Sequence, residues 1–177
     1  MKLEKKKKPY FGAHSYSQRK LIRELSEHPS ILDVLEKYPP EKSKISLTRN
    51  SVQEYLKEIV ATPSKTVVDG LRRSLGLLWY RIFNGLDVQG LSSLKEQVEG
   101  KQVIYLPCHR SHLDYLVLSY VLDQEYMELP HILAGSNLNL AGVGRMLKGG
   151  GAVFMRRSFK NNPLYATAFV TYLYYLL

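Results

Sequence analysis

The side chains best suited to chemistry lie in the segment VIYLPCHRSHLD, residues 103–114. His109 and Asp114 are five residues apart. On a regular helix that spacing would turn the two side chains about 140° away from each other. They can meet only if His109 lies in a turn and Asp114 lies in the first turn of the helix behind it. A carboxylate that orients an imidazole is what a general base requires, so the segment predicts proton abstraction at a strand–helix junction.

The second histidine of this segment leaves other interpretations open. His109, His112 and Asp114 could ligate a metal ion. A dinuclear hydrolase would need His-x-His-x-Asp-His, but here the first spacing is one residue longer and Tyr115 occupies the last position. A purely structural role, in which His109 caps the helix, is the third interpretation. We expect no metal site.

A second candidate cluster is GAVFMRR, residues 151–157, in which two arginines follow an apolar run. Ligands of α/β proteins bind at the carboxyl ends of strands, and the planar guanidinium suits phosphate oxygens. Because successive strand residues point to opposite faces, we expect only one of Arg156 and Arg157 to face a substrate. A solvated or lipid-facing basic edge is the alternative interpretation.

The three glycines before this cluster do not form a P-loop. Lys148 precedes Gly149–Gly151, and no Lys-Ser/Thr pair follows them. They are predicted instead to cap a helix and to form a tight turn.

Strands and helices alternate around both clusters. The pattern predicts strands at 103–106, 130–134 and 152–155, and helices at 114–122, 143–148 and 164–177. This alternation predicts an α/β fold in which helices cross over between parallel strands.

The first hundred residues are predicted to be helical. Short helices are expected at 17–25 and 30–37, a longer one opened by a Ser51-x-x-Glu54 capping box, and another at 92–98.

An apolar stripe at helical spacing runs from Val67 to Ile82. Arg72, Arg73 and Arg81 lie off this stripe. They are predicted to form a basic outer face on a helix packed against the core, or to rest on anionic lipid.

Composition restricts the class of partner. The formal net charge of the 177 residues is +9, which favours an anionic ligand or surface. The single cysteine, Cys108, excludes an internal disulfide framework. No secretory signal or apolar run of about 20 residues is present, so a transmembrane span is not expected. Nucleic-acid binding is not expected either, because no recognised RNA- or DNA-binding signature occurs.

Together the two clusters resemble a known family. HRSHLDYL and, about 40 residues downstream, GAVFMRR are similar to the first two sequence blocks of the glycerol-phosphate acyltransferases. The segments resemble those of the bacterial membrane-associated glycerol-3-phosphate acyltransferases, with dihydroxyacetone-phosphate and mitochondrial enzymes as relatives. SVQEYLKEI, LLWYRIFNGLDVQGL and PHILAGSNLNL extend the resemblance over roughly residues 50–177.

The resemblance assigns roles to residues of this chain. It implies that His109 is the general base and that Asp114 orients it. The base would deprotonate the sn-1 hydroxyl of glycerol 3-phosphate as that oxygen attacks the acyl thioester of acyl-CoA or acyl carrier protein. No metal, cofactor or acyl-enzyme would be needed. The substrate-binding residues that it implies are Arg110, Ser111, Gly151, Arg156 and Arg157.

The residue pattern and the resemblance together predict an organisation and a location. Residues 1–50 would be a basic extension with short helices, and 51–100 a helical segment on the core or the membrane surface. Residues 101–177 would be the first half of a glycerolipid acyltransferase α/β domain. The enzyme would lie peripherally or monotopically on the cytoplasmic face of the cell membrane, against anionic lipid.

Two further sequence blocks of the family, one with an Arg-bearing Glu-Gly-Thr segment, do not occur before Leu177. We therefore expect an N-terminal portion of a longer enzyme that is inactive alone. The alternatives are an acyltransferase for dihydroxyacetone phosphate or another lipid acceptor, and a non-catalytic module that binds membrane surfaces.

Overall fold

A computed structural model describes residues 17–38, 48–108, 110–111 and 113–177 of the chain. These residues are mostly helical and include a small parallel sheet. The elements follow in the order α1 (Gln18–Ser26), α2 (Pro29–Lys37), α3 (Arg49–Ile59), α4 (Lys65–Ile82), α5 (Leu91–Val98), α6 (Asp114–Gln124), β1 (Ile132–Gly135), α7 (Val143–Gly149), β2 (Ala152–Met155) and α8 (Pro163–Leu176).

The chain forms two compact units. The middle unit is Pro63–Pro130 and contains α4, α5 and α6. The core unit combines the described residues before Pro63 with His131–Leu177. The first candidate cluster therefore belongs to the middle unit and the second to the core unit.

Helix α8 is the centre of the core unit. It packs against α1, α2 and α3, and six of its residues are buried. Tyr165 and Tyr172 are both fully buried, and the hydroxyl of Tyr172 accepts a hydrogen bond from the backbone N–H of Ala61 at 3.2 Å. Leu21 of α1 and Ile31 of α2 join the same apolar cluster, so helices from the predicted N-terminal extension contribute to this core.

The sheet has two strands, not the three that the sequence pattern predicts. Strands β1 and β2 pair in parallel, with Ile132 opposite Ala152 and Gly135 opposite Met155. Helix α7 connects them, as the alternating pattern predicts. Three of the four β2 side chains are buried, whereas β1 is partly exposed.

The predicted strand at 103–106 is wrong. These residues form no strand, and no described residue pairs with them in a sheet. Ile104 is 70% exposed and Leu106 is 89% exposed. An apolar run becomes a strand only when a neighbour accepts its backbone hydrogen bonds, which sequence pattern alone does not reveal.

The predicted capping box at Ser51 is also wrong. Helix α3 begins at Arg49, and Thr48 is its N-cap, with its hydroxyl accepting the Ser51 N–H at 3.2 Å. Both residues are good capping types, so the sequence offered two possible starts. The other helices begin and end within a few residues of their predicted bounds, and β2 matches its predicted range.

In the middle unit, α4 packs against α6. Of its predicted apolar stripe only Val68 and Trp79 are buried. The prediction that Arg72 belongs to a basic outer face is wrong, because its guanidinium pairs with the buried carboxylate of Asp123 on α6. None of the described helices is both long and apolar enough to cross a membrane.

Candidate active site

The loop before α6 is organised by the carboxylate of Asp114. Asp114 is the first residue of α6, as the sequence predicts. Its Oδ2 accepts hydrogen bonds from the backbone N–H groups of Arg110 at 2.7 Å and Ser111 at 3.1 Å. A carboxylate at a helix N-terminus also interacts favourably with the helix dipole. The Asp114 side chain therefore fixes the backbone that follows position 109.

The loop side chains are open to solvent. Arg110 and Ser111 are exposed, and the Ser111 hydroxyl accepts the Leu113 N–H at 3.1 Å. The predicted base His109 and the second histidine His112 lie outside the described residues. The predicted contact between imidazole and carboxylate thus stays a prediction.

Gly151 forms the turn that leads into β2. Its φ of +96° lies in the left-handed region, where a side chain would be strained, which explains a glycine at this position. The Gly151 N–H donates to the Lys148 carbonyl at 3.0 Å, closing the turn after α7. The Gly151 carbonyl in turn lies 3.0 Å from Nδ1 of His131, which must donate because a carbonyl only accepts. The predicted helix cap and tight turn are therefore confirmed: Gly149 is the last residue of α7 and Gly150 is its C-cap.

Arg156 and Arg157 directly follow the last residue of β2, but they lie in different environments. Arg156 is partly buried and Arg157 is exposed. No hydrogen bond or ion pair joins Arg157 to another described residue. Both residues occupy the carboxyl end of a parallel strand, where α/β folds place ligands.

The side chain of Arg156 is held by residues of α3 and α8. Its Nε and Nη2 donate to the two carboxylate oxygens of Glu58 at 2.9 and 2.5 Å. Its guanidinium carbon lies 5.0 Å from the ring centre of Tyr55 and 4.5 Å from that of Tyr165. Asn162 completes the group, since its amide donates to the Tyr55 hydroxyl at 3.0 Å and its carbonyl accepts the Tyr165 N–H. We call these five residues the Arg156 clamp.

Electrostatics in the clamp favour a charged guanidinium. Hydrogen bonding to Glu58 raises the pKa of Arg156 above its usual value. Burial alone would lower this pKa, but its effect is smaller. Burial raises the pKa of Tyr165 to about 12, so its hydroxyl keeps its proton. Nearby, burial lowers the pKa of the Lys148 ammonium, which donates to the Lys57 carbonyl at the end of α3.

Sequence reasoning did not identify Tyr55, Glu58, Asn162 or Tyr165 as neighbours of the second cluster. A signal existed for two of them, because Tyr55 and Glu58 are three residues apart and share one face of α3. Their partner, however, is 98 residues away from Glu58 along the chain. Local patterns carry no information about such a pairing.

The described residues contain no group of three or more histidine, cysteine, aspartate or glutamate side chains that could hold a metal ion. The described part of the first cluster brings together a carboxylate and two backbone N–H groups. The second cluster presents the exposed guanidinium of Arg157 beside that of Arg156, which is already paired with Glu58. These are parts suited to proton transfer and to anion binding.

Comparison with known proteins agrees with the resemblance. A family model described as Acyltransferase matches residues 85–177. A protein of Ectopseudomonas mendocina named glycerol-3-phosphate acyltransferase is 40% identical over 161 residues, which is 90% of this chain and 19% of that protein. Proteins of the same name from Pseudomonas syringae pv. syringae and Shewanella loihica are 37% and 41% identical, over 96% and 79% of this chain. They are covered over 20% and 18% of their own lengths, so the chain spans about a fifth of these relatives.

Proposed function

Because the chain belongs to the acyltransferase family, we propose that it is part of an enzyme that acylates the sn-1 hydroxyl of glycerol 3-phosphate. The donor is the thioester of acyl-CoA or acyl carrier protein, and the product is lysophosphatidic acid for phospholipid synthesis. The observation that carries this proposal is identity of about 40% over 90% of the chain to proteins named for this activity.

In this proposal His109 is the general base. It removes the proton of the acceptor hydroxyl while that oxygen attacks the thioester carbonyl, and the thiolate of the donor leaves. Asp114 uses Oδ2 to hold the loop backbone, and no described residue bonds to its Oδ1. Oδ1 accepts the hydrogen bond of the imidazole and so orients the ring. No metal ion or covalent acyl-enzyme takes part.

The acceptor phosphate binds at the carboxyl end of β2. The exposed guanidinium of Arg157 supports this assignment, because two of the Arg156 donors already meet a carboxylate. Arg110, Ser111 and Gly151 are further substrate-binding residues in the proposal. The net charge of +9 favours an anionic substrate in general.

We further propose that the enzyme lies on the cytoplasmic surface of the cell membrane, held there by α4. Arg73, Leu77, Tyr80 and Arg81 recur at helical spacing and share one face of this helix. Leu77 is 64% exposed and Tyr80 is 87% exposed. Apolar side chains flanked by arginines suit the interface of an anionic bilayer. Sedimentation of the full-length protein with anionic vesicles should weaken in Leu77→Ser/Tyr80→Ser, and unchanged binding would contradict this role of α4.

The test of the reaction uses the full-length protein with each acyl donor and labelled glycerol 3-phosphate. His109→Ala should lower kcat by about 10²- to 10⁴-fold, the range of general acid–base catalysis, with little change in acceptor affinity. Glu54→Gln is a control on an exposed residue of α3 outside both clusters. Retained turnover in His109→Ala would refute the assignment of the base.

Two other outcomes distinguish the alternatives. Preference for dihydroxyacetone phosphate or a lysophospholipid in competition would reassign the acceptor. Absence of transfer to any acceptor, with vesicle binding intact, would identify a non-catalytic membrane module.

A further inference from the structure

Arg156 directly follows the last residue of β2, and Glu58, Tyr55 and Tyr165 of the Arg156 clamp already contact its side chain. The guanidinium is a planar fork, and Glu58 takes two of its N–H donors in a bidentate pair. The ring centres of Tyr55 and Tyr165 lie 5.0 and 4.5 Å from its guanidinium carbon and 5.3 Å from each other, so both rings are within the range of cation–π contacts. A phosphate could use the same fork only by displacing the Glu58 carboxylate. Glu58 therefore neutralises the charge of Arg156 and occupies its Nε edge, which makes Arg156 a weaker phosphate ligand than an arginine with no described partner.

The clamp also holds the backbone at this point. The N–H of Arg156 donates to the Tyr165 hydroxyl at 3.2 Å, and Tyr165 is fully buried in the core unit. Both the main chain and the side chain of Arg156 are thus tied to helices α3 and α8. The next residue, Arg157, begins from a fixed backbone and is exposed. A rigid support lowers the entropy lost when a side chain binds a ligand.

We infer that Glu58 is a positioning residue of the acceptor site: together with Tyr55 and Tyr165 it holds Arg156 away from the phosphate, so that Arg157 is the arginine that binds it. This inference rests on the proposed function, since it concerns the same phosphate. It assigns the two arginines of the second cluster to different tasks, one structural and one in contact with substrate.

The test measures glycerol 3-phosphate binding and steady-state kinetics on the full-length protein. Glu58→Gln keeps the size of the side chain and removes its charge, while Glu54→Gln makes the same change at an exposed position one turn earlier on α3. We expect Glu58→Gln to raise the acceptor KM about fivefold and leave the donor KM within about twofold, whereas Glu54→Gln changes neither. Glu58→Asp, which keeps the charge, should recover part of the loss.

The arginine variants separate the two tasks. Arg157→Gln removes a charge-assisted contact and should raise the acceptor Kd and KM by about tenfold or more. Arg156→Gln should resemble Glu58→Gln, and the double variant Glu58→Gln/Arg156→Gln should be no worse than either single variant, because both remove the same pair. A merely structural role would lower stability without this selective change in acceptor KM.

The inference about Glu58 is overturned if Glu58→Gln behaves like Glu54→Gln, or if Arg156→Gln weakens phosphate binding more than Arg157→Gln does. If Glu58→Gln does not fold, Tyr55→Leu removes one ring and leaves the ion pair, and a rise of about threefold in acceptor KM is expected. Failure of the unsubstituted protein to bind glycerol 3-phosphate refutes the proposed function and the inference with it. Binding by the unsubstituted protein with no effect at Glu58 refutes the inference alone.

Discussion

Replacement of Arg72 by methionine should loosen α6, the helix that begins at the proposed catalytic carboxylate. Arg72 donates from Nε and Nη2 to the two oxygens of Asp123, at 2.7 and 2.6 Å. A third donor, Nη1, bonds to Asp69 within α4. The Asp123 side chain is only 7% exposed, whereas that of Arg72 is 20% exposed. Methionine preserves helix propensity and much of the apolar stem, so the charge is the main change.

The magnitude follows from leaving Asp123 buried without its partner. Breaking a buried ion pair by removing one member costs about 3–5 kcal/mol, because the other charge remains in a poorly solvating environment. Water reaches the exposed part of the Arg72 position, so we take the lower end, about 3 kcal/mol. Since 1.36 kcal/mol corresponds to a factor of ten, the opening equilibrium of α6 should shift by about 10².

Hydrogen–deuterium exchange of the full-length protein measures this shift directly. Peptides from Asp114–Gln124 should exchange about 10² times faster in Arg72→Met, while Arg73→Met, one residue away and exposed, should change exchange by less than about threefold. The double variant Arg72→Met/Asp123→Leu should recover much of the protection, because no unpaired charge remains. Unaltered exchange of α6 in Arg72→Met would refute the reasoning.

Three further perturbations test the rest of the structure. Asp114→Ala removes the acceptor of two backbone N–H groups, whereas Asp114→Asn keeps one side-chain oxygen. Hydrogen exchange in the preceding loop should therefore be faster in Asp114→Ala than in Asp114→Asn. Equal exchange rates in the two variants would contradict the role of Asp114 in holding the loop backbone. Thr48→Ala should destabilise the start of α3 by about 1 kcal/mol, measured as helix-end exchange, and a larger loss from Ser51→Ala would restore the capping box as the start. The pKa of Tyr165, raised to about 12, means that the folded state binds more protons than the unfolded state between about pH 10 and 12. Its contribution of about 2–3 kcal/mol to the free energy of unfolding is therefore complete below pH 10 and is lost as the pH rises through 12. The alkaline loss of stability should be shallower in Tyr165→Phe. Parallel curves of unfolding free energy against pH for the two proteins would contradict a raised pKa.

Local pattern predicted much of the secondary structure. Helix α8 was expected at 164–177 and runs from Pro163 to Leu176, and β2 lies where its apolar run predicts. Caps, breakers and hydrophobic periodicity act within a few residues, which is why such elements can be located from sequence. The placement of Asp114 at the first position of α6 has the same origin.

Apart from the choice between Thr48 and Ser51 as the start of α3, the failures concern interactions between distant segments. The apolar run at 103–106 has the composition of a strand but no strand partner among the described residues. Arg72 has the spacing of a surface residue, yet its partner Asp123 lies 51 residues further along the chain. Neither outcome is encoded in the segment itself.

The sequence alone supplies the chemical inventory: a histidine before a helix and an aspartate at its first position, two arginines after a strand, and their order along the chain. Which of those charges is already paired depends on the tertiary fold. The Glu58 carboxylate is 98 residues from Arg156 in sequence and 2.5 Å from it in space, whereas Arg157 meets no described partner. The physical reason is that ion pairing depends on distance and burial, and these arise only when helices α3 and α8 close around the end of β2.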